Sequence, residues 1–237
     1  MITVSIVSHG HGEMVEAIIL QLRKLTTVSQ ILLTLNIPEK LNVTSDGVLI
    51  IIHNETPLGF GANHNKAFKI CSQPYFCVLN PDIQLIADPF QYLLECMNQE
   101  KIQLVAPMIV SPFGVDEDSA RKFPTLLSIF KKLLFSVEGR WPIDFNKSIN
   151  YPDWVAGMFM LFNSKVYEQI KGFDTNYFLY YEDVDICLRI REQGHQIGLC
   201  LNIKAIHNAQ RASRRNLKFM LWHIKSLFRY LFLRSKK

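Results

Sequence analysis

The sequence predicts an α/β domain with a mostly parallel central sheet, flanked by helices and ending in a basic amphipathic helix. Three observations carry that expectation. Short apolar runs at residues 2–8, 30–35, 48–52 and 75–79 alternate with helical spacing or with a glycine turn entering a helix, the order that parallel strands require. With 237 residues, 49% apolar and 20% charged, the chain can bury one substantial core, and no repeat or low-complexity linker divides it. The charge is also unevenly placed. Nine Lys or Arg follow position 210 with no acid among them, which leaves 17 basic against 21 acidic residues before it. The net charge of +5 therefore belongs to the tail, and a mildly acidic body argues against nucleic acid as its partner.

The elements follow in order. Residues 2–8 form a strand that ends in Ser8-His9-Gly10-His11-Gly12. Residues 13–25 place Val15, Ile18, Ile19 and Leu22 on one helical face. Strands at 30–35 and 48–52 precede the turn Gly59-Phe60-Gly61, which leads into a helix. That turn fails as a dinucleotide fingerprint: His64 holds the third glycine position, and Leu79-Asn80 ends the next strand without an acid. A phosphate beside these amides and the helix N-terminus is the expectation that local physics leaves. After the strand at 75–79, Pro81 stops the chain and sets Asn80 and Asp82 at the carboxyl edge of the sheet, where such folds bind ligands. Taken alone the triplet reads first as an Asx-Pro turn, and its carboxylate and amide oxygen also suit Mg²⁺ or Mn²⁺, which would take phosphate oxygens as well.

Residues 87–100 read as a helix and 104–110 as a strand. Prolines 112, 124 and 142 interrupt the next stretch, where 126–135 is an apolar, lysine-flanked helix. Residues 154–162 read as one strand, with Gly157 marking a close backbone approach. The centre of the chain is Tyr181-Glu182-Asp183-Val184-Asp185, three carboxylates directly behind the aromatic run 177–181. Aromatic walls that exclude water raise carboxylate basicity, whereas acids at the start of the helix 186–191 also suit the helix dipole; spacing alone leaves both readings open. Residues 196–206 form a strand closed by His207. Five cysteines without a C-x-x-C pair indicate reduced thiols in a cytoplasmic protein, and neither a signal peptide nor a membrane span is expected.

Taken together, Val4-Ser5-Ile6-Val7, residues 54–67, Leu79-Asn80-Pro81-Asp82, Arg121-Lys122-Phe123-Pro124-Thr125, Asp153-Trp154-Val155-Ala156-Gly157, Gly172-Phe173-Asp174 and residues 181–189 resemble, in order, family 2 glycosyltransferases. The similarity spans nearly the whole chain and is greatest to their bacterial rhamnosyltransferase-like branch. It implies an inverting, metal-dependent enzyme of GT-A fold, with a Rossmann-like sheet, that moves a deoxysugar such as rhamnose from a nucleotide-diphosphate donor. The acceptor would be a lipid-linked (undecaprenyl-type) surface glycan of O-antigen or capsule kind.

Residue by residue, the resemblance implies Asp183 as catalytic base, with Trp154, Glu182 and Asp185 on the acceptor and sugar side. Asp82 and His207 would hold the cation, and Ser8, Asn65, Lys66, Asn80 and Asp82 would lie near the donor. The family's usual Asp at the end of the second strand is Leu35 here, so Asn36 or His9 is expected to take over its hydrogen bonding, or another donor is used. Residues 1–110 would form the nucleotide-sugar half and 111–210 the acceptor half. A sugar nucleotidyltransferase would need a basic glycine loop, and residues 8–12 contain no Lys or Arg. A degenerate module that binds glycan or membrane without turnover is the other rival, to which Leu35 lends weight.

The tail, residues 211–237, sets Leu217, Met220, Leu221, Ile224, Leu227, Phe228 and Leu231 on one stripe. Arg211, Arg214, Arg215, Lys218, Lys225 and Arg229 fill another. Such a helix suits the anionic inner face of the cytoplasmic membrane, making the protein peripheral; packing on the domain or on another subunit is the alternative.

Overall fold

In the computed structural model, residues 1–99, 102–135, 139–208 and 217–235 are described. Strand β1 (Ile2–Ser8) is buried along almost its full length, because helices cover both of its faces. One face is apolar, with Ile2, Val4 and Ile6 in the core. On the other, Thr3 donates to Gln30 Oε1 (2.7 Å) and Ser5 Oγ meets His64 Nδ1 (2.8 Å), so its buried hydroxyls are paired. Burial holds the His64 imidazole neutral, its pKa lowered to about 3.

Strands β2 (Val28–Leu35) and β3 (Leu49–His53) extend the sheet in parallel on one side of β1, and β4 (Tyr75–Leu79) does so on the other. Helices α1 (Glu13–Leu22) and α2 (Phe60–Phe68) lie in these crossovers. Beyond β4 the direction reverses at β10 (Phe159–Asn163), which pairs antiparallel with both β4 and β6 (Ile102–Val110). Strand β11 (Gln196–His207) runs parallel to β6 and carries β5 (Ile83–Leu85) and β8 (Ile149–Asn150) antiparallel to itself. The sheet order is β3-β2-β1-β4-β10-β6-β11-β5. One core cluster, around Ile2, Ile19 and Phe90, joins the sheet to α1 and α3 (Phe90–Gln99). A second, around Phe76, Phe162 and Tyr167, joins it to α5 (Ser164–Gln169) and α6 (Glu182–Glu192). All five cysteines are free thiols.

Several elements differ from the sequence expectation for identifiable reasons. Residues 154–162 are not one strand. Strand β9 (Trp154–Val155) pairs with β7 (Ala120–Arg121) in a separate two-stranded sheet, and β10 starts only at Phe159. The break falls at Gly157, where a Cβ would lie 3.2 Å from the Phe60 ring. Helix α1 stops at Leu22 because residues 23–25 close in tight turns, with Lys24 N donating to Gln21 O and Leu25 N to Leu22 O. Helix α3 starts at Phe90, whose N–H is accepted by Asp88 Oδ1 (2.9 Å) with Pro89 between them; the predicted end at Glu100 lies outside the described residues.

Helix α4 (Leu126–Phe135) forms as expected, and α7 (Leu217–Ser235) confirms a C-terminal helix. Yet most of the apolar stripe of α7 faces away from the domain, and only its C-terminal member Leu231 packs on the Tyr177–Val184–Tyr230 cluster. Leu217, Leu221, Ile224 and Phe228 are exposed, whereas Ser226 and Tyr230 are buried against the domain. Arg211, Arg214 and Arg215 lie outside the described residues.

Candidate active site

Helix α6 carries Glu182, Asp183 and Asp185 in its first turn and Arg189 and Arg191 in its last, which matches the helix dipole at both ends. The dipole does not explain the approach to it. Tyr180 and Tyr181 sit at φ 71° and 68°, two successive non-glycine residues in the left-handed region. Each such residue costs about 1–3 kcal/mol and persists only where its surroundings over-determine it. Phe60 N donates to Phe178 O (2.9 Å), and a Cβ on Gly59 would come within 2.5 Å of that oxygen, so α2 butts its N-terminus against the aromatic run. The Phe60 amide is therefore taken by backbone and is not open to the phosphate expected beside this turn.

The strained turn aims Glu182 and Asp183 into a cavity of about 280 Å³, bounded by Arg121, Trp154, Tyr180, Tyr181 and, from α4 and α7, Ile129 and His223. Trp154 is fixed as a wall by its Nε1–H, which donates to Lys122 O (3.0 Å). Asp183 accepts from Gly157 N (Oδ2, 3.2 Å) and Val184 N (Oδ1, 2.8 Å). Burial raises its pKa, and these amides and Arg121 oppose the rise.

Glu182 is 5% exposed, and its Oε2 has no hydrogen-bond partner. Burial, then the Asp183 charge, push its pKa up to about 8. Burial raises both acids and their charges oppose each other, so the two titrate as a pair, with Asp183 accepting more backbone amides than Glu182 does. Since the folded state binds the Glu182 proton more tightly, stability is greatest below the ordinary Glu value near 4.5 and falls as pH rises towards about 8. Glu182→Gln is expected to flatten this decline and to raise the melting temperature at pH 9, by the equivalent of about 1–3 kcal/mol. Parallel melting curves for the two proteins from pH 5 to 9 would refute it.

Asp185 belongs elsewhere, which corrects its sequence assignment. One helical turn before Arg189, it forms an ion pair with that guanidinium (2.7 Å) and lines a separate cavity beside Arg229. Consecutive acids on a helix point in different directions, and only Glu182 and Asp183 reach the aromatic-walled cavity.

At the sheet edge, Asp82 follows β4 and His207 ends β11. Their side chains meet at 3.1 Å through His207 Nε2, and Glu117 Oε2 holds Nδ1 at 2.6 Å. Burial lowers the pKa of His207, but its two carboxylate partners outweigh that and raise it. Asp82 Oδ1 is buried with no hydrogen-bond partner. A buried orphan carboxylate oxygen beside an oriented imidazole fits a divalent cation. Among the described residues no cluster of three or more His, Cys, Asp or Glu forms a complete metal cage, so further ligands would have to come from water and phosphate. One short segment joins this pair to the acids: Asn80 N donates to Met158 O (2.9 Å), and the preceding residue, Gly157, donates to Asp183.

The remaining predicted donor residues fare unequally. Ser8 Oγ accepts from His11 N (3.2 Å), and exposed His9 lies beside Asn36 (Nδ1 to Nδ2, 3.2 Å). Asn36 itself is consumed by structure: its Oδ1 accepts from Asn54 Nδ2 and Leu58 N, and its Nδ2 donates to Leu58 O. Asn65 is also structural, tying α2 to the 172–173 turn through Phe173 N, Phe173 O and the Tyr167 hydroxyl. Exposed Lys66 donates to Asn54 Oδ1 (2.8 Å) and His53 O (3.3 Å). Within the protein, Asn65 and Lys66 thus serve as bracing groups. Glu117 and His223 were missed; both sit far in sequence from the partners that give them meaning, and no local pattern marks them.

A mostly parallel sheet whose edge carries an Asp–His pair, joined through Gly157 and Met158 to a buried acidic pair, is the arrangement that the resemblance implies for a glycosyltransferase. Comparison with known proteins agrees, since residues 34–167 match the family described as Glycosyl transferase family 2. The chain belongs to that family. It is 30% identical over 184 residues to rhamnosyltransferase WbbL of Escherichia coli (strain K12), covering 73% of this chain and 70% of that protein. It is 25% identical over 188 residues to the N-acetylglucosaminyl-diphospho-decaprenol L-rhamnosyltransferase of Mycobacterium tuberculosis, covering 75% of this chain and 61% of that protein. The crystal structure of GalNAc-T7 with UDP, GalNAc and Mn²⁺ shares the fold, with a TM-score of 0.71 at 13% identity over 88% of this chain and 43% of that one.

Proposed function

We propose that the protein transfers rhamnose or another deoxysugar from a nucleotide-diphosphate donor, with inversion, to a hydroxyl of a growing lipid-linked surface glycan. The observation that carries this reading is the single link of Gly157 and Met158, which ties the base to the cation-binding turn. Residues 1–110 supply most of the donor half, and 111–210 the acceptor half. Asp183, in its ionised form, takes the proton from the acceptor hydroxyl as that oxygen attacks the anomeric carbon. Trp154 walls the sugar and excludes water. Asp82 and His207 would hold Mg²⁺ or Mn²⁺, which would offset the charge of the departing diphosphate. Because attack and departure occur in one in-line step, no enzyme nucleophile is needed, and the cysteines stay bystanders.

The names of the relatives support both rhamnose and a diphospho-polyprenol acceptor. The exposed stripe of Leu217, Leu221, Ile224 and Phe228, flanked by Lys218 and Lys225, supports peripheral contact with the inner face of the cytoplasmic membrane. Among the described residues no helix is long and apolar enough to cross it.

A thermal-shift screen against nucleoside diphosphates and nucleotide-sugars, with and without Mn²⁺, tests the reading. A rhamnose nucleotide at about a hundredfold excess over its dissociation constant is expected to stabilise the protein by about 2.7 kcal/mol, and only with the cation. No shift with any nucleotide in folded protein would favour the degenerate binding module instead.

A further inference from the structure

We infer that α7 is a clasp on the catalytic loop, with Trp222, Ser226, Arg229 and Tyr230 as positioning residues for Asp183 and with His223 in the wall of the acceptor pocket. The inference rests on Asp183 being the base. Its evidence is the set of contacts between α7 and residues 174–181. Trp222 stacks on Phe178 (centroids 4.6 Å apart), and His223 lies between Tyr180 and Tyr181 (5.3 and 5.4 Å). Ser226 Oγ donates to Leu179 O (2.9 Å). Arg229 donates through Nε and Nη2 to one oxygen of Asp174 (3.0 and 2.6 Å) and lies over the Tyr177 ring. Tyr230, 1% exposed, packs with Tyr177 and Val184 and meets the Tyr181 ring at 5.6 Å.

These contacts fall on the one segment that needs them. Tyr180 and Tyr181 hold left-handed conformations that a free chain would leave, and Glu182 follows directly. From the sheet side, Phe178 O is held by Phe60 N. Leu179 O, the next carbonyl, is held by Ser226. The loop is therefore gripped between α2 and α7, and the grip sets the direction in which Asp183 leaves the helix start. Because the outer stripe of α7 is the surface proposed to meet lipid, docking at the membrane and assembly of the base share one rigid helix.

The test uses the full chain with Ser226→Ala, Trp222→Leu, Arg229→Gln and Arg229→Lys. Each of the first three is expected to lower acceptor-dependent kcat by roughly fivefold to tenfold, the scale of one lost side-chain hydrogen bond or ring contact. The cation-dependent donor stabilisation should be unchanged, and Arg229→Lys should recover part of the rate. Amide hydrogen exchange should quicken across residues 176–184 and not in β1 or β4. Wild-type kcat together with unchanged exchange at 176–184 would overturn the clasp. So would a loss shared equally by donor binding and β1 exchange, which would mean general destabilisation. If the unaltered protein transfers no sugar, the proposed reaction falls, and the exchange comparison still decides whether α7 holds the loop.

Discussion

Asp183→Asn is expected to lower kcat by about 10²- to 10⁴-fold while leaving cation-dependent donor binding intact, the range for loss of a positioned general base. The substitution keeps the shape and one acceptor oxygen, so one of the two amides, Gly157 N or Val184 N, keeps its acceptor and the other loses it. What disappears is the negative charge that takes the acceptor proton. Burial raises the Asp183 carboxyl, so the wild-type rate should climb with pH through a limb above the ordinary carboxylate range, because only the ionised form accepts a proton. The variant should lack that limb. Steady-state rates across pH 4 to 8, paired with thermal shifts by donor and Mn²⁺, separate the two effects. Turnover within fivefold of wild type would remove Asp183 as the base and send the search to its neighbour Glu182.

Asp82→Ala is expected to abolish the cation-dependent part of donor binding and to lower kcat/KM at least a hundredfold. Asp82 contributes the one carboxylate oxygen at the sheet edge that is buried without a partner, and His207 alone is a single neutral ligand. Glu117→Gln offers a graded comparison. Its carboxylate fixes which His207 nitrogen carries the proton, and replacing such an outer partner typically costs 10- to 100-fold in metal affinity. Mn²⁺ titration followed by electron paramagnetic resonance, without donor or acceptor, reads both variants directly. Equal Mn²⁺ affinity for wild type, Asp82→Ala and Glu117→Gln would show that the cation binds elsewhere or not at all.

Sequence and structure divide along a clear line in individual residues. The strands β1 and β4 were legible with correct bounds, since an apolar run stopped by a proline or a glycine turn is a local signal. The Asn80-Pro81-Asp82 turn was legible for the same reason, and the family resemblance supplied His207 and Asp183. The bracing contacts of Asn65 and Lys66 were not legible, because a motif position specifies a place on a helix and not the direction in which its partner lies. Asn65 faces the 172–173 turn, more than a hundred residues away in sequence. Asp185 failed similarly, since three acids in four positions look alike until the helix gives each a bearing.

The tail shows the division most sharply. Its periodicity and charge established a basic amphipathic helix, and that much depends only on the spacing of side chains around one axis. Which face it would turn inward was decided by what the domain offered. The aromatic edge of residues 177–181 takes up Trp222, Ser226 and Tyr230, and Leu217, Leu221, Ile224 and Phe228 are left outside. By itself, the sequence determined the alternation of elements, the strand-edge carboxylate and the family, all of which are written in neighbouring residues. Only the tertiary structure decided that Glu182 is buried beside Asp183, that Glu117 orients His207 and that α7 packs on the catalytic loop. Each of those depends on burial and on contacts between residues distant in the chain, and the pattern within any one segment carries neither.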